Sequence, residues 1–161
     1  MHIWTIEDWK NHINMERDGH RTGLRLRIDR EVDPEVRRAC KDFAKWLRKE
    51  YFFPMRIPVY IKDNPYIVAK DGEHVYGTFL GPFDYTVEPY IRIATGDYHE
   101  RCLSWGKNSA LTAILLSIAH ELTHYFQWAN KLQLTAIGEE RQATRYARYI
   151  LDEYSATRDN P

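Results

Sequence analysis

Two histidines stand four residues apart around a glutamate in His120-Glu121-Leu122-Thr123-His124. On an α-helix, positions four apart share one face, one turn above the other. Both imidazoles can then reach one metal ion. Glu121, next to the first of them, sets a carboxylate beside the pair as a general base. Two ligands are too few for a catalytic zinc, which takes three from the protein and keeps a fourth position open. His120 and His124 are therefore candidate metal ligands, Glu121 is the candidate catalytic residue, and a third ligand must come from elsewhere. His2, His12, His20 and His74 have no such partner at a useful spacing and read as surface or core residues.

The segment around these residues reads as a buried helix. Leu111, Ile114, Leu115, Ile118 and Leu122 recur at helical spacing, and residues 107 to 131 contain neither Pro nor Gly. Asn108 or Ser109 is placed to cap its start. Two histidines and a glutamate are costly on such a helix unless something satisfies them, and a metal does so. A turn around residues 133 to 138 leads into a second helix over Gly138 to Leu151. Folded back antiparallel, that helix brings its first turn, with Glu139 and Glu140, near the His pair.

The two helices together give H-E-x-x-H followed by E-x-x-A-x-x-x-A at Glu140, Ala143 and Ala147. This resembles the pattern of gluzincin-type zinc metallopeptidases, including their smallest members, over the last third of the chain. The resemblance implies Zn²⁺ as cofactor, Glu140 rather than Glu139 as third ligand, and a peptide or protein as substrate. It also implies a zincin-like sheet packed on the motif helix, with an edge strand that pairs with extended substrate. The candidate for that strand is Thr86 to Ala94. Several such families carry Asp or Asn four residues after the Glu ligand. Thr144 stands there in this chain, which implies a weaker hydrogen bond behind the ligands. Tyr146 and Tyr149 are the candidates to stabilise an oxyanion.

Upstream, Trp4, Ile6, Trp9 and Ile13 suit one helical stripe packed on the domain, and Met15 to His20 is polar. Leu24, Leu26 and Ile28 alternate with Arg25, Arg27 and Asp29, a half-buried strand within residues 22 to 32 whose Arg face reads as solvated. Asp33-Pro34-Glu35 starts a helix that ends before Phe53-Pro54, with Val36, Cys40, Phe43, Leu47 and Tyr51 as its apolar stripe. Residues 55 to 62 alternate as a strand, in which Pro58 favours an edge or irregular position. Asp71-Gly72 marks a hairpin between residues 66 to 70 and 73 to 80. Residues 86 to 94 form another strand and residues 95 to 107 a loop. The expected architecture is α+β: a single zincin-like domain over residues 1–161, with an antiparallel-rich twisted sheet, the motif helix and a C-terminal helix.

Composition limits the alternatives. The 161 residues carry 23 Lys and Arg against 23 Asp and Glu, so net charge gives no case for a nucleic-acid or anionic-membrane partner. No transmembrane segment or signal peptide is expected. Cys40 and Cys102 make no disulfide framework, which suits a reducing cytoplasm. Two other readings compete with the peptidase. One is a zinc-stabilised binding or regulatory protein, against which the retained Glu121 argues. The other is a deformylase-like hydrolase, since Glu100-Arg101-Cys102-Leu103-Ser104 is similar to the E-G-C-L-S motif whose Cys ligates metal. There Arg101 replaces Gly, and the gap to His120 is shorter than in that family.

Overall fold

The computed structural model describes residues 2–14 and 21–161; the polar stretch Met15 to His20 lies outside the described residues. After a 3-10 turn at Asp8–Asn11 the elements are β1 (Leu24–Ile28), α1 (Pro34–Glu50), β2 (Ile57–Lys62), β3 (Ile67–Val68), β4 (His74–Val75), β5 (Gly77–Leu80), β6 (Tyr90–Ala94), α2 (Tyr98–Trp105), α3 (Lys107–Ala129) and α4 (Ala136–Ser155).

Asp33 caps α1, its carboxylate accepting the Glu35 N–H at 2.8 Å, with Pro34 at the first helical position. The helix buries Val36, Cys40, Phe43 and Leu47 and returns the chain to the end of the sheet from which β1 began. As a result β1 and β2 pair in parallel, Leu24 opposite Ile57. β2 is also parallel to β6, and only β5 runs antiparallel, to β6, in the order β1-β2-β6-β5. The sheet is therefore mixed, not antiparallel-rich, and it contains a βαβ unit. The alternation of Leu24, Leu26 and Ile28 shows a half-buried strand but carries no sign of its neighbour's direction.

Pro58 is not on an edge strand. Ile57 donates its N–H to Gly23 O on the β1 side, so the next residue faces β6, where pairing begins only at Val59 opposite Ile91. The missing N–H falls just before that ladder and costs it no bond. β6 is shorter than expected because Asp84 takes the backbone N–H and hydroxyl of Thr86 at 2.8 and 2.7 Å, holding this stretch in a turn. β6 is interior, so residues 86–94 do not supply the expected edge; β5 is the edge strand beside it. The hairpin at Asp71-Gly72 forms as β3 and β4, with Gly72 at φ +86°.

One face of the sheet joins the main core. Ile57, Val59, Ile61, Ile91 and Ile93 pack with Leu111, Ile114 and Ile118 of α3 and the buried stripe of α1. The other face carries Tyr60, Lys62, Tyr90 and Arg92. Residues 95 to 107 are not a loop: α2 occupies most of them and ends at Gly106, whose φ of +87° turns the chain into α3. Gly106, rather than Asn108 or Ser109, is therefore the first cap of α3, and its carbonyl accepts from Ala110 N–H at 3.0 Å.

The N-terminal residues pack on the domain but as turns, not as one helical stripe. Trp4 is 2% exposed and donates its indole N–H to Thr123 Oγ1 at 3.0 Å. Trp9 N–H donates to Asn130 Oδ1 at 2.8 Å. Both anchors lie on or at the end of α3. Among the described residues no helix is long and apolar enough to cross a membrane.

Candidate metal centre

α3 exposes one stripe of its length to solvent, and that stripe holds His120 and His124, with ring centroids 4.9 Å apart. α4 begins at Thr135, whose hydroxyl accepts from Gly138 N–H at 3.0 Å, and folds back on α3. Buried Ala143 and Ala147 carry no bulk between the helices and let them approach. The first turn of α4 then sets Glu140 over the pair. Its Oε2 lies 3.1 Å from His120 Nε2 and its Oε1 2.9 Å from His124 Nε2. Glu139 instead offers its backbone carbonyl to Gln127 Nε2 at 3.0 Å.

Gln127, one turn on from His124, was not singled out by the sequence. Its amide nitrogen donates to the Glu139 carbonyl and to Gln142 Oε1, both at 3.0 Å. Its oxygen is therefore the atom 2.8 Å from His124 Nδ1, and Nδ1 must carry the proton. In the neutral ring Nε2 is then a lone pair, aimed at a carboxylate oxygen. Two lone pairs at that distance repel, and either a proton on Nε2 or a metal ion shared between them relieves the repulsion. Two imidazole nitrogens and a carboxylate are also the donor set that zinc takes in catalytic sites, so the residues fit such an ion. Thr144, expected to support the ligands weakly, instead lines the small cavity beside His120. The supporting bonds come from Gln127 and Gln142.

Glu121 faces the pair from the buried side. Its side chain, with the residue 8% exposed, belongs with His120 and His124 to one group whose ligand atoms lie within 4.8 Å of one another. Burial pushes its carboxyl up to about 7, and the neighbouring Glu140 carboxylate acts in the same direction. His120 is shifted down by burial, against the pull of Glu140, which favours the neutral ring that binds metal. Gly77 of β5 lies against Glu121: a Cβ there would stand 3.1 Å from Glu121 Cγ and 3.0 Å from Ile93 Cδ1.

Two cavities meet at Gly77 and Glu121. The larger, of about 600 Å³, runs past His124 to Phe79, Tyr85 and Trp128; the smaller, of about 200 Å³, runs past His120 to Leu116, Ala147 and Arg148. Together they make a cleft between β5 and α4 across the pair. Tyr146 and Tyr149 line neither cavity. Both rings pack on His2 at 5.2 Å, so the expected oxyanion candidates are not at the site. Arg148 is the cation on that side of the cleft. Cys102 does not join the pair either. It lies on α2, and the potential ligand group on α3 is His120, Glu121 and His124 without it.

Comparison with family models, curated proteins and solved structures gives no match to this chain.

Proposed function

We propose that the protein is a zinc-dependent metallopeptidase of zincin-like, gluzincin type. The observation that carries this reading is the convergence of His120 Nε2, His124 Nε2 and the Glu140 carboxylate, with Glu121 buried beside them. His120, His124 and Glu140 hold the ion. When bound, zinc supplies a Lewis acid that polarises the scissile carbonyl and lowers the pKa of water.

The remaining chemistry belongs to side chains and backbone. β5 is an edge strand, and an extended peptide pairs with it by strand addition. Gly77 lets the peptide come close to Glu121 where a side chain would stand in the way. Glu121 Oε accepts the proton of the attacking water and delivers it to the nitrogen of the leaving amine. Gln127 fixes the tautomer of His124 throughout. Arg148, at the His120 end of the cleft, is placed to receive negative charge on the substrate.

The test pairs elemental analysis with hydrolysis of unfolded protein substrates. Protein purified without chelator is expected to contain about one zinc per chain. Glu121→Gln is expected to keep that zinc and lose hydrolysis by about 10²–10⁴-fold, since an amide cannot take the proton. Zinc absent even after reconstitution, or equal cleavage by wild type and variant, overturns the assignment. Zinc present with no cleavage of a broad peptide library moves a zinc-stabilised binding role to first place.

A further inference from the structure

The balanced total charge conceals a local excess. Residues 21–50 carry ten Lys and Arg against six Asp and Glu, whereas the whole chain has 23 of each. That segment is β1 and α1. Between them lies a cleft of about 600 Å³ lined by Leu24, Leu26 and four cationic side chains, Arg25, Lys41, Lys45 and Arg48, with no acid among its lining. Lys41, Lys45 and Arg48 recur at helical spacing and form one row along α1.

Arg25 leads out of this cleft onto the outer face of the sheet. In β1, Arg25 and Arg27 are exposed and alternate with the core-facing Leu24 and Leu26. Arg27 is the register partner of Tyr60, and Tyr60 of Arg92, so one row across three strands reads Arg, Tyr, Arg. Tyr60 is 37% exposed, and the Tyr90 ring meets it edge-on at 6.1 Å. The β3–β4 hairpin bounds the platform on one side, where Arg92 reaches Val68 O at 3.5 Å, and the Lys62–Asp29 ion pair bounds it on another.

We propose that the β1 edge of the sheet binds single-stranded nucleic acid, its phosphates along the cleft of Arg25, Lys41, Lys45 and Arg48 and a base, reached past Arg25 around the edge strand, against Tyr60. Cations in a row neutralise a phosphodiester chain, and an exposed ring on a sheet between arginines stacks an unpaired base. A duplex offers the phosphates but keeps its base faces covered. An acidic peptide offers charge and has no flat ring for Tyr60. Tyr60 and its neighbours lie on the face of the sheet turned away from α3, so the platform is separate from the cleft at His120 and His124.

Fluorescence anisotropy of a labelled oligothymidylate of about 16 nucleotides, the upper site size for one small platform, tests this on the full chain. The oligonucleotide is expected to bind more tightly than a duplex of equal length and than poly-glutamate. Tyr60→Ala is expected to weaken it about tenfold, and Tyr60→Phe, which keeps the ring, to bind like wild type. Lys45→Ala is expected to lower the slope of log affinity against log salt by about one. These side chains are on the surface, and unchanged circular dichroism shows that each variant is folded. Absence of binding at low salt overturns the proposal, as does equal or tighter binding of duplex or poly-glutamate, or a Tyr60→Ala variant that binds like wild type. The assay reads neither zinc nor hydrolysis, so its outcome is independent of the chemistry at His120 and His124.

Discussion

The amide of Gln127 is the residue-scale feature with the sharpest consequence. It bonds His124 Nδ1 on one side and α4 on the other, at Glu139 O and Gln142 Oε1. Gln127→Ala leaves the ring free to rotate and to change tautomer. Zinc affinity, measured by competition with a chromophoric chelator, is expected to fall about 10–100-fold, the usual effect of removing a bond behind a ligand. Glu140→Ala is expected to weaken zinc at least as much, because it removes a ligand. Glu139→Ala is expected to leave zinc almost unchanged, since Gln127 uses only the Glu139 carbonyl. The reverse order of the two glutamate variants would mean that α4 is rotated on α3 when metal is bound.

At the scale of elements, the site is the meeting of α3, α4 and the edge strand β5. Gly77 is the point of contact between strand and base. Gly77→Val must move Glu121 or Ile93, and a shift of about 1 Å at a catalytic group can cost 10²-fold. If the protein is the proposed peptidase, its activity is expected to fall by about that factor while zinc content stays whole. Full activity in this variant would show that β5 stands farther from Glu121 than described. The sequence made the helices of this arrangement legible. Leu111 to Leu122 is periodic, Asp33-Pro34 is a start signal, and H-E-x-x-H has its own spacing. It did not show β5 as the edge, because strand order depends on pairings between residues far apart in the chain. The parallel β1–β2 pair escaped for the same reason, and Pro58 misled because its missing N–H falls where β6 has not yet begun to pair. Gln127 escaped because its partners, Glu139 and Gln142, belong to a different helix.

For the whole molecule, the proposed metal site links ion binding to folding. His120 and His124 meet the Glu140 carboxylate, and Glu121 is buried beside them, so a cation bound there would join α3 to α4. Anything that binds only the folded chain stabilises it, by about 4 kcal/mol at a free concentration 1,000 times the dissociation constant. For a domain of this size that corresponds to a rise in Tm of roughly 8–16 °C, readable by calorimetry with and without chelator. A Tm unchanged after zinc is shown to be removed would contradict the linkage. The bonds from Trp4 to Thr123 and from Trp9 to Asn130 join residues 119 and 121 positions apart. Such distant pairings slow folding, because the long loop must close before they reward it. During synthesis Trp4 and Trp9 can meet Tyr51, Phe53 and Phe52 early, but their bonds to Thr123 and Asn130 wait until α3 has been translated, so the helix that carries the His pair is also the one that fastens the start of the chain.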